Sequence, residues 1–268
     1  MLISSKQSFG MGGGASSLLN EALFHFDGID NGGNGVHLQK TRIWKNLGNA
    51  GSEYDAVRRG NDDSTISKWG LNHAAFDSRT DVKQYFTVGG LENVDVLPML
   101  RDEYSFVVTF AVANGWRANY SGLLGSHIRW GDGVHVGFNV MQYNNYTNIF
   151  DIASTSTSIS DSLRVHQTIA SSSIANGEIY CACASITTSR RAVFCNGELL
   201  GENTVQTDAK YITFNGNPFT IGSSYIDNTV ISTDRTFVGN IYNVAAFDRA
   251  LTDDECAKIS EYCLSRFK

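Results

Sequence analysis

Phe237-Val-Gly-Asn-Ile-Tyr-Asn-Val-Ala-Ala-Phe247 runs without a break into Asp248-Arg-Ala-Leu-Thr-Asp-Asp-Glu255 and on to Phe267. The first of these segments alternates as a sheet strand does, with successive side chains on opposite faces. The second reads as a helix start. Thr252 is a good N-cap, and Glu255 three positions on completes a capping box. Leu251 is placed to staple onto Cys256. Cys256, Ile259, Cys263 and Phe267 then share one helical face, a narrow stripe suited to packing on a sheet. The chain is therefore expected to close with one long strand and one short helix.

Upstream the pattern is β from Leu23 onward. Ser105-Phe-Val-Val-Thr-Phe-Ala-Val-Ala113 reads as a buried strand, and Val134–Met141 and Glu178–Ile186 alternate cleanly. Ala192-Val-Phe-Cys195, Asn196-Gly197 and Glu198-Leu-Leu200 predict a hairpin, because Asn-Gly supplies the two positive φ angles of its favoured turn. Phe219-Thr-Ile-Gly222 is a further short strand. Frequent strands with turn residues between them argue for a two-sheet sandwich over an α/β fold.

With 268 residues the chain can bury a large core without disulfides. Gly is abundant at 26 and Pro scarce at 2, which suits many tight turns. A net charge of −6 argues against a nucleic-acid partner, which calls for a basic face. Arg58-Arg59 and Arg190-Arg191 are the only dense basic pairs, and neither makes a patch by itself. No apolar run reaches the length of a membrane helix. Met1-Leu-Ile-Ser-Ser-Lys6 lacks the basic and apolar regions of a secretory signal. Cys181, Cys183, Cys195, Cys256 and Cys263 are odd in number and show no framework spacing, so reduced thiols made in a cytoplasm are expected. Residues 1–22 stand apart. Gly10-Met-Gly-Gly-Gly-Ala-Ser-Ser17 reads as a flexible small-residue arm, with a single domain over 23–268.

Three segments carry a family likeness. Leu23-Phe-His-Phe-Asp-Gly-Ile-Asp-Asn31 with Trp44-Lys-Asn-Leu-Gly-Asn49 is similar to the opening strand and loop of laminin-G-like domains. Val193-Phe-Cys-Asn-Gly-Glu-Leu-Leu-Gly201 is similar to their Asn-Gly hairpin. The closing strand and helix complete the set, in the expected order over roughly residues 23–267. The chain resembles a laminin-G-like, concanavalin A-like jelly roll, an all-β sandwich of two antiparallel sheets with a short C-terminal helix. The resemblance is to modules on phage tails, phage heads and bacterial surface proteins. With no signal peptide, it implies a virion protein made in the host cytoplasm.

That sandwich serves lectins, glycosidases and structural modules alike, so function must be argued from a site. A retaining glycosidase needs two carboxylates about 5 Å apart. Asp27 and Asp30 lie three apart, on different faces of an extended strand, and the family's Glu-x-Asp-x-x-Glu pattern is not found. No Gly-x-Ser-x-Gly elbow or His-Glu-x-x-His motif occurs either. Cys181 and Cys183 share a strand face and read as core. The resemblance also implies a structural Ca²⁺ where the first and last strands meet. The matching positions are Asp27 or Asp30 with Asp248, carboxylates of the kind this hard cation takes.

Glycan binding uses exposed aromatics with Asn, Asp and Gly beside them. Region 114–148 is richest: Trp116, Tyr120, Trp130, Asp132, Asn139, Tyr143, Asn145 and Tyr146. Tyr143-Asn-Asn-Tyr146 reads as a loop tip. Packing or subunit contacts explain the same residues equally well. The reading is a non-catalytic virion structural or decoration protein that binds host surface glycans. The arm would join it to other virion proteins or to copies of itself. A glycan-active hydrolase with an atypical carboxylate pair and a module without ligand stay open.

Overall fold

The computed structural model describes residues 13–60, 69–76, 84–89, 103–113, 122–127, 135–143, 146–153, 164–168, 174–204, 219–223, 226–227, 230–231 and 236–268. In chain order the strands are β1 (Phe24–Asp27), β2 (Ile43–Trp44), β3 (Ala56–Gly60), β4 (Ala74–Phe76), β5 (Gln84–Val88), β6 (Tyr104–Val112), β7 (Gly122–His127), β8 (His135–Tyr143) and β9 (Tyr146–Ala153). There follow β10 (Arg164–Thr168), β11 (Ile179–Ile186), β12 (Arg190–Cys195), β13 (Glu198–Thr204), β14 (Thr220–Ile221), β15 (Ile226–Asp227), β16 (Val230–Ile231) and β17 (Gly239–Phe247). Helices α1 (Gly13–Leu19) and α2 (Asp253–Phe267) flank them.

Two antiparallel sheets make the sandwich. Among the described residues the first has the order β1-β17-β6-β11-β12-β13, with β4 also on β17. The second runs β10-β9-β8-β7-β14-β5-β3-β2. The two closing strands lie in register: Phe24 faces Ala246 and Asp27 faces Asn243, while β17 pairs along β6 on its other side. The last long strand is thus central to the first sheet, which is why all of its residues but Asn240 are buried. The expected hairpin is present as β12–β13, with Asn196 at φ 53° and Gly197 at φ 87°.

Alternation along the first sheet divides its side chains between two cores. Phe106, Val108, Phe110, Ala182, Val193 and Val244 point inward and meet Trp44, Phe86 and Ile221 of the second sheet. Val107, Cys181, Cys183, Ala192, Phe194 and Ala245 point outward and are buried under the helices. Burial on both faces explains why β6 reads as mostly apolar, with only Ser105 and Thr109 polar among nine buried residues.

Helix α2 begins as the sequence predicts. Thr252 Oγ1 accepts from the Glu255 amide, and the Glu255 carboxylate accepts from the Thr252 amide. Cys256, Ile259, Ser260, Cys263 and Phe267 are its buried face. Ser105 on β6 and Ser185 on β11 hold the approach to the helix: Ser105 Oγ accepts from the Leu251 amide at 2.8 Å, and Ser185 Oγ donates to the Leu251 carbonyl at 2.6 Å.

The N-terminal segment departs from expectation. Instead of a flexible stretch through Ser17, residues Gly13–Leu19 form a helix. Gly and Ser give it little intrinsic helicity. Leu18, Leu19 and Ala22 are buried in the same cluster as Ile259 and Cys263, so packing against α2 overrides propensity. Arg249 joins the two helices further, bridging Glu21 at 2.8 Å and Glu255 at 2.9 Å.

Candidate functional site

The helices seal the outer side of the first sheet, so the second sheet's outer side is the place to look for a ligand. Along β3, Ala56 and Arg58 are buried toward the core while Val57 and Arg59 alternate to the outer side. Opposite them on β5, Phe86 pairs with Arg58 and Tyr85 with Arg59. Thr87 and Thr220, in the same outer row, are completely buried.

At the β2–β3–β5 end of this sheet lies a cleft of about 400 Å³, lined by Arg42, Val57, Arg58, Arg59, Gly60 and Tyr85. Arg42 reaches it because the chain entering β2 is tied to β3: the Arg58 amide donates to the Arg42 carbonyl at 2.7 Å. Arg59 Nε donates to Thr87 Oγ1 at 3.2 Å, and that hydroxyl donates on to the Val57 carbonyl at 3.3 Å. The Arg59 guanidinium is thereby held over the sheet. Arg58 is only 5% exposed. Its Nη2 donates to Gln84 Oε1, its guanidinium lies 5.8 Å from the centroid of the Phe86 ring, and its buried Nη1 has no hydrogen-bond partner.

Burial, reinforced by the like charge of Arg42, lowers the Arg58 pKa to about 10. Burial also raises the Tyr85 pKa, against the pull of Arg59, so its hydroxyl stays protonated. The cleft offers guanidinium donors, a phenol and an apolar wall. Among the described residues that line it there is no acid.

The residues singled out from sequence fall differently. Trp116, Tyr120, Trp130, Asp132 and Asn145 lie outside the described residues. Tyr143 and Tyr146 are register partners at the end of the β8–β9 hairpin, in the second sheet. In the same sheet Asn139 lies opposite Asp151, and Asp151 opposite His166. Arg58 and Arg59, which make no patch as a sequence pair, gain Arg42 from the chain entering β2. The readable sign was two arginines inside a short alternating segment, where one of them has to turn toward the core.

The expected calcium ligands do not assemble. Asp27 Oδ2 sits 2.6 Å from Arg266, and its Oδ1 accepts from the Ile29 amide at 2.9 Å. Asp30 accepts from the Gly35 and Val36 amides at 2.8 and 3.0 Å, stabilising its own loop. Asp248 is exposed and lies beyond the far end of the β1–β17 ladder from Asp27. With Asn243 opposite Asp27, that separation is about 16 Å at roughly 3.3 Å per residue. Arg266 holds Asp27, loop amides hold Asp30 and Asp248 lies away from both, so these residues do not fit the ion. Among the described residues no three His, Cys, Asp or Glu side chains gather in a way that could hold a metal.

The cysteines are structural. All five are free thiols, and Cys181, Cys183, Cys256 and Cys263 are buried between α2 and the first sheet. Hydrogen bonding with Cys181, then burial, holds Cys263 well above the usual thiol range. Burial raises Cys195 to about 12.

No curated protein sequence matches the chain. Among solved structures it is similar to domain 4 of AbnA, a GH43 extracellular arabinanase from Geobacillus stearothermophilus, in complex with arabinotriose. That match has a TM-score of 0.58 at 13% identity and covers 90% of this chain and 98% of that one. It is also similar to the binding domain of botulinum neurotoxin DC in complex with rat synaptotagmin II. There the TM-score is 0.58 at 11% identity, over 91% of this chain and 52% of that one. A third similar structure is Trypanosoma rangeli sialidase in complex with sialic acid, with a TM-score of 0.55 at 13% identity, over 91% of this chain and 32% of that one. At such identities the likeness is one of fold. The model of the Laminin_G_3 family, described as the concanavalin A-like lectin/glucanases superfamily, matches residues 104–257, more than half of the chain. The chain belongs to that family.

Proposed function

We propose that this protein binds carbohydrate, without turning it over, on the outer side of its second sheet. One observation carries the reading. Helices close the outer side of the first sheet, while the second sheet presents a cleft of about 400 Å³ walled by Tyr85 and Val57 and edged by arginine donors. A sugar-sized site needs that combination: a flat aromatic surface for the ring and directed donors for the oxygens. Family membership supports the class of ligand. So do two of the similar structures, which hold arabinotriose and sialic acid.

The setting we propose is a virion, where the protein would decorate the particle and contact host surface glycans. The support is the resemblance to phage modules and the five unpaired cysteines, which suit assembly in a reducing cytoplasm. Neighbouring virion proteins or further copies of the chain would be its protein partners.

The test is equilibrium binding of the purified protein to a panel of immobilised oligosaccharides. Saturable binding that Tyr85→Ala weakens at least tenfold is the expected result. Equal binding by wild type and Tyr85→Ala would place the contact elsewhere, and release of reducing ends from any bound polysaccharide would make the protein an enzyme.

A further inference from the structure

We infer that Asn34 is a site of spontaneous covalent modification: the Gly35 nitrogen closes onto its side-chain amide, ammonia is lost, and the loop after β1 gains a carboxylate. Asparagine is a chemically labile residue. Its conversion needs a free side-chain amide, a following residue that does not obstruct the ring closure, and a backbone that opens locally. Asp30-Asn-Gly-Gly-Asn-Gly35 holds two Asn-Gly pairs, and Asn196-Gly197 is another. The structure separates them. Asn31 is completely buried; its Nδ2 donates to the Leu38 carbonyl at 2.9 Å and its Oδ1 accepts from the Leu38 amide at 2.6 Å. Asn196 Oδ1 accepts from the Cys181 amide at 2.9 Å, and the Asn196 amide donates to the Cys181 carbonyl at 2.7 Å. The Asn34 side chain is exposed, and among the described residues it has no hydrogen-bond partner.

The step balances with water alone. The Gly35 nitrogen bonds to Asn34 Cγ, the Cγ–Nδ2 bond breaks, and Nδ2 leaves as ammonia with the proton that Gly35 gives up. Water then opens the five-membered imide at either carbonyl. One route leaves aspartate; the other leaves isoaspartate, with the chain running through the side-chain carbonyl. Asp30 sets the pace. Its Oδ2 accepts from the Gly35 amide at 2.8 Å and its Oδ1 from the Val36 amide at 3.0 Å, and the Val36 amide also reaches the Gly33 carbonyl at 3.2 Å. These bonds fix a turn with Asn34 at φ 60° and Gly35 at φ 77°, angles that Asn and Gly tolerate. In it the Gly35 N–H is held by Asp30, so ring closure waits on local opening of the turn. A Cβ at Gly35 would meet nothing within 4 Å, so no packed neighbour resists that opening. The product carboxylate shares the turn with Asp30, like charge near like charge, which loosens the turn once it has formed.

The experiment is peptide mass spectrometry on the full chain, kept folded at neutral pH and sampled over weeks. An isoaspartyl methyltransferase assay on the same samples detects the isoaspartate product. Asn34 is expected to gain the mass difference between an acid and an amide at least tenfold faster than Asn31 and Asn196, and its peptide should accept methyl groups. Asn34→Ala should remove that methyl acceptance. Asp30→Asn, which weakens the hold on the two amides, should speed conversion at Asn34 at least threefold. Asn34 staying an amide in the folded protein while it converts in the urea-unfolded chain would overturn the inference. So would conversion of Asn31 or Asn196 at the same rate as Asn34. A rate that is unchanged or slower in Asp30→Asn would overturn the role given to Asp30. Should that variant fail to fold, the ratio between Asn34 and the two held asparagines in the wild-type protein still decides.

Discussion

Arg266, near the end of the last helix, meets Asp27, at the end of the first strand, at 2.6 Å; the Asp27 side chain is only 5% exposed. This pair joins the two ends of the domain. It also occupies the strand end where the sequence suggested a metal. The Arg266 guanidinium lies 5.2 Å from the ring centroid of Phe267 and 5.6 Å from that of Tyr262.

Breaking a buried pair from one side leaves a charge without a partner, at a cost of about 3–5 kcal/mol. Arg266→Ala is expected to lose about 3 kcal/mol in urea unfolding, toward the low end of that range because the arginine is partly exposed. The double variant Asp27→Asn/Arg266→Ala should be no less stable than Arg266→Ala alone, since the stranded carboxylate is then gone. A loss below about 1 kcal/mol for Arg266→Ala would mean that the pair behaves as a surface bridge.

The start of α2 should respond to acid. Hydrogen bonds from Arg249 hold the Glu255 pKa down at about 2. A depressed carboxylate stabilises the fold above its unfolded pKa, and that stability is lost as the pH falls through the folded value. The contribution is therefore intact above about pH 4.5 and declines toward pH 2. Glu255→Gln should flatten the stability profile over that interval without changing its shape near neutrality. Thr252→Ala, which removes the cap oxygen, should cost about 1 kcal/mol at any pH.

If α1 is part of the cooperative unit, truncating its buried side chain must be felt globally. Leu19 is 2% exposed among α2 and first-sheet residues. Leu19→Ala is expected to cost about 2 kcal/mol or more in urea unfolding, as buried Leu→Ala changes do. A cost under about 0.5 kcal/mol would return this segment to the status of a loose arm.

The thiols offer a check on packing. Four of the five are buried, and the half-buried Cys195 is raised to about 12. Since the thiolate is the reacting form, native protein at pH 8 should be modified only slowly by a disulfide reagent. Unfolding in guanidinium should release all five at once. A thiol that reacts rapidly in the native state would contradict the placement of the cysteines between helix and sheet.

Much of this fold was legible because its signals are local. The Thr252–Glu255 capping box, the Asn196-Gly197 turn and the β17 alternation each depend on neighbours within a few residues, and all three appear as read. What escaped depends on distant partners. Gly13–Leu19 is helical because α2 lies beside it, which a Gly-Ser composition cannot announce. Asp27 pairs with Arg266 across most of the chain, and the antiparallel register that carries Asp248 away from it is a tertiary fact. The arginine cleft required knowing that Arg42 lies next to β3. The residues of region 114–148 were chosen for glycan contact by composition, and five of those eight lie outside the described residues, while Tyr85 drew no notice.

The most direct test of the account is hydrogen exchange by mass spectrometry on the protein with and without a saturating oligosaccharide found by panel screening. Slower exchange in segments 56–60 and 84–88, with 253–267 unchanged, is the result predicted by a carbohydrate site on the outer side of the second sheet. Protection of α2 and β11–β13 instead, or a panel that yields no binding oligosaccharide, would contradict it.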